Sequence, residues 1–171
     1  MFIDKRILYI VLGLFIVSNL AGLLSKTNSL LSLLISLPAV LIAITFHEYA
    51  HAWAADRLGD DTPRRQGRLS LNPFSHLDPI GTVMLVFAGF GWGKPVEIDS
   101  RNFNRNIKMS VAEAIVAAAG PVMNFILAII FTIIYTAIWK FAPSFVLTQV
   151  GSIVMILLSA CVSVNVGLGV F

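Results

Sequence analysis

Charge and cysteine are both scarce in this sequence. Only 12% of its 171 residues are charged and 57% are hydrophobic, whereas a soluble domain has about 25% charged residues. That shortage excludes a water-soluble globule and an intrinsically disordered chain. The single cysteine, Cys161, cannot form an internal disulfide, which excludes a disulfide scaffold. The composition predicts a polytopic membrane protein of one domain.

The apolar residues fall into four stretches, each long enough to cross a bilayer as a helix. They lie at about 7–24, 29–55, 111–139 and 147–171. Because they lack the alternation of barrel strands, we predict an all-α membrane protein with about four transmembrane helices. A shorter apolar segment at about 80–96 predicts a re-entrant or interfacial element after the second helix. The alternative is an ordinary hydrophobic loop.

The basic residues predict the orientation. Ten of the 12 lysines and arginines lie at the N-terminus or between spans two and three, and only Lys26 and Lys140 lie in the other loops. The positive-inside rule therefore predicts a multi-pass protein of the cell membrane whose N-terminus and long loop face the cytoplasm. The basic residues are not interleaved with aromatic ones as in a nucleic-acid-binding protein, so we expect no nucleic-acid partner.

The strongest chemical signal is the sequence His47-Glu48-Tyr49-Ala50-His51 near the end of the second span. On a helix, His47 and His51 project from the same face and can bind one Zn²⁺ ion. Glu48 is then placed to act as a general base on a water molecule that zinc activates. A charged side chain inside a membrane helix costs at least about 2.5 kcal/mol, so three ionisable groups within five residues indicate function. The alternative is a polar helix end whose histidines reach the interface.

Four further segments strengthen the case for a family. They are 67–73 (GRLSLNP), 76–81 (HLDPIG), 89–96 (GFGWGKPV) and 119–124 (AGPVMN). Together with the His-Glu-x-x-His motif they resemble the site-2 protease family of intramembrane zinc metalloproteases. These segments are similar to those of its short bacterial members, the type without PDZ or CBS domains.

The resemblance implies an intramembrane zinc endopeptidase. Its substrates would be membrane proteins or transmembrane peptides within the lipid bilayer. His47 and His51 would bind Zn²⁺, and Glu48 would be the catalytic base. The alternative function is a non-catalytic membrane protein that keeps the fold and binds clients. A transporter or channel is less favoured, because the other spans contain few polar residues.

One departure from the family concerns the third zinc ligand. The family takes it from an aspartate in a later Asn/Pro-rich segment that ends in Leu-Asp-Gly, and residues 165–171 are similar to the approach to that segment. We therefore expect residues 1–171 to be a single transmembrane metalloprotease core that lacks its C-terminal part. By itself, such a chain would bind zinc weakly and be inactive.

Three other residues are weaker candidates for the missing ligand. Asp78 is interpreted first as a turn residue before Pro79. His76 is expected to be a solvated loop histidine, and Cys161 a packing residue.

Asn124, in the middle of the third span, is expected to hydrogen-bond to a neighbouring helix, and a role beside the zinc is the less favoured interpretation.

Overall fold

The computed structural model describes residues 27–88 and 91–170, with side chains described for 34–84 and 91–170. Within these ranges every regular element is helical, which confirms the all-α prediction. The helices are α1 (Thr27–Arg57), α2 (Thr62–Arg65), α3 (Pro79–Ala88), α4 (Met109–Phe141), α5 (Pro143–Val146) and α6 (Gln149–Val170), with 3₁₀ turns at Pro73–Ser75 and Ser100–Asn102.

Three helical segments are long and apolar enough to cross a membrane: Leu34–Arg57 within α1, the whole of α4, and the whole of α6. They correspond to the second, third and fourth predicted spans. The first predicted span, at 7–24, lies outside the described residues. The fourth span begins at Gln149, slightly later than predicted, and the separate short helix α5 precedes it, with Pro143 at its start, a position that suits proline.

Helix α4 has two faces of different character. Its buried face is a row of small or medium residues spaced by four, which α-helical geometry places on one side. That row consists of Ala112, Val116, Gly120, Asn124 and Ala128. Large apolar side chains on other faces remain exposed, such as Ile129 at 60% and Ile133 at 62%. Exposed isoleucines of this kind are suited to contact with lipid.

Small residues also bring the end of α1 against the start of α4. Ala54, Ala55 and Leu58 form one buried cluster with Phe103, Ala112 and Val116. Because alanine side chains are short, the two backbones can approach closely. The last turns of α1 are therefore held beside α4, and His51 lies on the turn just before this cluster.

The described residues divide into two compact units, one of which contains 27–34, 77–88 and 91–93. In that unit Asp78 caps α3, because its carboxylate accepts a hydrogen bond of 2.7 Å from the Gly81 amide. Leu77 pairs with Gly93 in a single antiparallel bridge. A Cβ atom on Gly81 would lie 2.2 Å from the Trp92 carbonyl oxygen, so the returning segment packs directly on the helix.

The other unit contains residues 35–76 and 94–170, and a buried carboxylate organises its polar loops. Asp60 is fully buried and accepts hydrogen bonds from the Thr62 amide and hydroxyl, the Asn102 amide group and the Asp99 backbone. Burial alone would raise the pKa of Asp60, but these hydrogen bonds outweigh it and lower the pKa below its usual value. Asp60 thus ties the end of α1 to the loop that precedes α4.

We predict that Asp60→Ala lowers the stability of this loop by about 2 kcal/mol, since several donors lose a charged acceptor. A group with a depressed folded-state pKa stabilises the protein above its unfolded pKa of about 3.9, and this contribution disappears as the pH falls through the folded-state value. The difference between wild type and Asp60→Ala in thermal unfolding should therefore be full at neutral pH and shrink in acid. Asp61→Ala is the matched control, because Asp61 is an exposed neighbour of Asp60 that forms an ion pair with Arg65 at the surface. An equal loss in both variants would contradict the role of Asp60.

Candidate metal centre

The two motif histidines lie on the same face of α1, as their spacing predicts. Their ring centroids are 4.7 Å apart, and the rings are nearly perpendicular at 79°. Both are partly buried. The Nε2 atoms lie within 2.7 Å of one common point, the position that a Cβ atom on Gly120 would take. Both Nε2 atoms therefore converge on the same small volume beside α4.

The opposite nitrogen of each ring is hydrogen-bonded to oxygen. His51 Nδ1 lies 2.6 Å from the Val116 carbonyl, and His47 Nδ1 lies 2.8 Å from Asn124 Oδ1. A carbonyl oxygen only accepts, so each Nδ1 carries the proton and each Nε2 keeps a free lone pair. This arrangement is typical of metal-binding histidines. The two imidazoles thus fit a zinc ion in both direction and tautomer.

Gly120 is the position on α4 that admits both rings. A Cβ atom there would lie 2.3 Å from His51 Nε2 and 2.7 Å from His47 Nε2, distances that no side chain tolerates. The approach of the two imidazoles therefore gives a specific reason for a glycine at this position of α4.

Glu48 lies between the two histidines in sequence and contacts a different part of the chain. Its Oε2 accepts a hydrogen bond of 3.0 Å from the backbone amide of Val96. The segment around Val96 is in turn held in place: the Lys94 amide donates to the His76 carbonyl at 2.8 Å, and the Arg68 guanidinium donates to the Pro95 carbonyl at 3.5 Å. A fixed, irregular segment therefore orients the carboxylate of Glu48.

His76 is fully buried, so the expectation of a solvated loop histidine is wrong. Its Nε2 donates to the Ser70 carbonyl at 2.7 Å, and Arg68 donates to the Ser75 carbonyl. These bonds hold the 70–76 loop together, which explains the burial. His76 belongs to the support of the Lys94–Val96 segment.

The histidine pair has no third protein ligand among the described residues. No group of three or more His, Cys, Asp or Glu side chains suited to a metal occurs within 27–88 and 91–170. Asp78 uses its carboxylate to cap α3, as its turn interpretation predicts. Cys161 is buried in α6.

Comparison with known proteins identifies the family. The sequence profile of Peptidase family M50 matches residues 35–169, which include all the site residues above. The chain belongs to peptidase family M50. The resemblance inferred from the motif and its companion segments is thereby confirmed.

Related M50 chains come from bacteria. A Bacillus subtilis protein named "Putative zinc metalloprotease YwhC" is 50% identical over 91 residues, which cover 53% of this chain and 40% of that protein. A Mycolicibacterium smegmatis protein named "Putative zinc metalloprotease Rip2" is 31% identical over 105 residues, covering 58% of this chain and 39% of that protein. The matched regions span about two fifths of either relative's length. No solved structure matches the chain significantly.

Two residues of this M50 chain contribute to the site without a clear sequence signal. Val96 acts through its backbone amide, so its side-chain type carries no information. Asn165 contacts Asn124 across 41 residues of sequence, and only a helix-packing geometry can reveal such a pair. For Asn124 and for Asn165, the available sequence signal is a single asparagine in an otherwise apolar span.

We predict that Gly120→Ala lowers zinc affinity at least about 10-fold, because the added methyl group displaces both imidazoles from their common point. Zinc affinity of the purified protein can be measured by competition with a chromogenic chelator. Gly167→Ala is the matched control: no atom of the described residues lies within 4 Å of a Cβ atom there, and alanine favours a helix over glycine by about 1 kcal/mol. Unchanged zinc affinity in Gly120→Ala would show that the rings do not bind the metal in this arrangement.

Proposed function

We propose that this M50 chain is the core of an intramembrane zinc endopeptidase that hydrolyses peptide bonds of membrane-embedded substrates. The observation that carries the proposal is the convergence of His47 Nε2 and His51 Nε2 at Gly120, with both Nδ1 atoms held by oxygen acceptors. The family and the names of the relatives support zinc and proteolysis. Both histidines lie on α1 beside α4, and each of these helices contains a segment apolar enough to cross a membrane, which supports a substrate within the bilayer.

The residues have distinct roles in this proposal. His47 and His51 bind the metal through Nε2, and the family's later aspartate is the expected third ligand in the intact protein. When bound, zinc would supply Lewis acidity that activates water and polarises the scissile carbonyl. Glu48 takes the proton from the attacking water and returns it to the leaving amine. Its hydrogen bond from Val96 engages Oε2, so we assign the proton transfer to the other carboxylate oxygen.

We predict that Glu48→Gln lowers proteolysis at least about 100-fold and leaves the zinc content unchanged, because the amide cannot accept the proton. The assay uses the intact protein in lipid vesicles with a set of single-span peptides, and mass spectrometry detects new peptide ends. Glu113→Gln is the matched control, since Glu113 is exposed near the start of α4 and accepts only from Ser100.

Two outcomes would contradict the proposal. Retained cleavage in Glu48→Gln would exclude Glu48 as the base. Absence of stoichiometric zinc and of cleavage in the intact wild-type protein would favour the non-catalytic client-binding function instead.

We further propose that the loop between α1 and α4 faces the cytoplasm, as the positive-inside rule predicts for its basic residues. In a Cys161→Ala background, Gln66→Cys should react with a membrane-impermeant maleimide only from the cytoplasmic side. Ser144→Cys, in the short helix α5 between α4 and α6, should react only from the opposite side. Both positions are exposed. The reverse labelling pattern would overturn the orientation.

A further inference from the structure

The two histidines acquire their tautomers in different ways. His51 Nδ1 donates directly to a backbone carbonyl, that of Val116, which can only accept. His47 Nδ1 instead contacts Asn124, whose side chain has an acceptor on one side and a donor on the other. If the Asn124 amide rotated by 180°, its NH₂ group would face His47 and favour the proton on Nε2. The orientation of Asn124 therefore decides whether His47 Nε2 is free for a metal.

A series of hydrogen bonds fixes that orientation. Asn165 Nδ2 donates to the Cys161 carbonyl at 2.8 Å, so Asn165 Oδ1 is left to accept. Asn124 Nδ2 donates to this Oδ1 at 3.0 Å and to the Ala43 carbonyl at 3.4 Å. Backbone carbonyls cannot donate, so the direction of every bond in the series is determined. The Cys161 carbonyl on α6, acting through Asn165, and the Ala43 carbonyl on α1 thus set the orientation of Asn124 at His47.

We propose that Asn165 is a positioning residue for the metal ligand: through Asn124 it holds His47 in the tautomer that leaves Nε2 free. The inference rests on the proposed zinc site and adds to it a residue on α6 that touches neither metal nor substrate. It also assigns the interhelical contact a direction, from α6 through α4 to α1.

Burial makes this series of bonds effective. Asn124 and Asn165 are both fully buried, so no solvent water is available to replace a lost partner. A buried donor or acceptor without a partner costs about 1–3 kcal/mol. Two amides that satisfy each other and two backbone carbonyls are therefore strongly favoured in a single orientation.

Histidine tautomers give a test that does not depend on activity or on zinc. The chain has three histidines, so selective ¹⁵N-histidine labelling of the zinc-free protein at alkaline pH gives a simple spectrum. We expect His47 and His51 to carry the proton on Nδ1. His76 is an internal reference of the other kind, because its Nε2 donates to the Ser70 carbonyl.

Asn165→Leu removes the nearer of the two acceptors of the Asn124 NH₂ group and leaves only the Ala43 carbonyl at 3.4 Å. The expected result is a mixed tautomer at His47 with His51 and His76 unchanged, and about 10-fold lower zinc affinity in the intact protein. Met155→Ala is the packing control, since it removes another buried side chain from α6 and should leave all three tautomers unchanged.

A double variant separates positioning from packing. A carboxylate has no donor side, so Asn124→Asp should keep His47 protonated on Nδ1 without help from Asn165. In an Asn124→Asp background, Asn165→Leu should therefore change zinc affinity by less than about threefold. An equal loss in both backgrounds would show a merely structural role and overturn the proposal.

The outcomes also distinguish this inference from the proposed function. If Asn165→Leu leaves the His47 tautomer and the zinc affinity unchanged while wild type binds zinc, the positioning role is wrong and the zinc site stands. If wild type shows the expected tautomers but binds no zinc, the zinc site is wrong, and with it the purpose proposed for the series of bonds.

Discussion

The structure of the site depends on the two nitrogens of imidazole. In apolar surroundings, the hydrogen-bond partner of one nitrogen determines whether the other carries a proton. In water, either nitrogen can carry the proton. Between packed helices, the partner of Nδ1 decides the state of Nε2. Val116 supplies that partner to His51 through its backbone, and Asn124 supplies it to His47 through a side chain. The positions of α4 and α6 relative to α1 are therefore constrained by hydrogen bonds as well as by packing.

Small residues make these hydrogen bonds geometrically possible. A direct bond from a histidine on α1 to the Val116 carbonyl requires the backbone of α4 to lie close to α1. Two features permit that approach: the short side chains of Ala54, Ala55 and Ala112 in the buried cluster, and the absence of a side chain at Gly120. In a bilayer, close packing and interhelical hydrogen bonds replace the hydrophobic drive that joins helices in water. The same row of residues on α4 thus provides both close packing of the helix pair and the room for the two imidazoles.

The sequence predicted the helices and the His-Glu-x-x-His motif better than the hydrogen-bonding residues around the motif. Spans at 29–55 and 111–139 agree with α1 and α4 within a few residues, because long apolar stretches have few alternatives to a helix. The His47–His51 spacing predicts a shared face from helical geometry alone. Asn124 was placed correctly in a span, yet its contact with His47 joins residues 77 apart, and no local pattern encodes that distance. The expectation that His76 is solvated was wrong for a similar reason. Its burial comes from the folding of the 70–76 loop and not from the neighbouring residue types.

Glu48 differs from the histidines in how it is supported, and the difference follows from its proposed chemistry. A histidine that must keep one tautomer is best held by an acceptor at Nδ1: the Val116 carbonyl holds His51, and Asn124 Oδ1, oriented by the bonds of its own NH₂ group, holds His47. A base must accept and release a proton, so a bond that fixes its direction yet leaves one oxygen free suits it better. The Val96 amide meets this requirement, because it is a backbone donor on a segment anchored by Arg68 and by the His76 carbonyl. The polar loop after α1 therefore does more than connect two spans. It orients the carboxylate of Glu48, which would accept and release the proton in the proposed reaction.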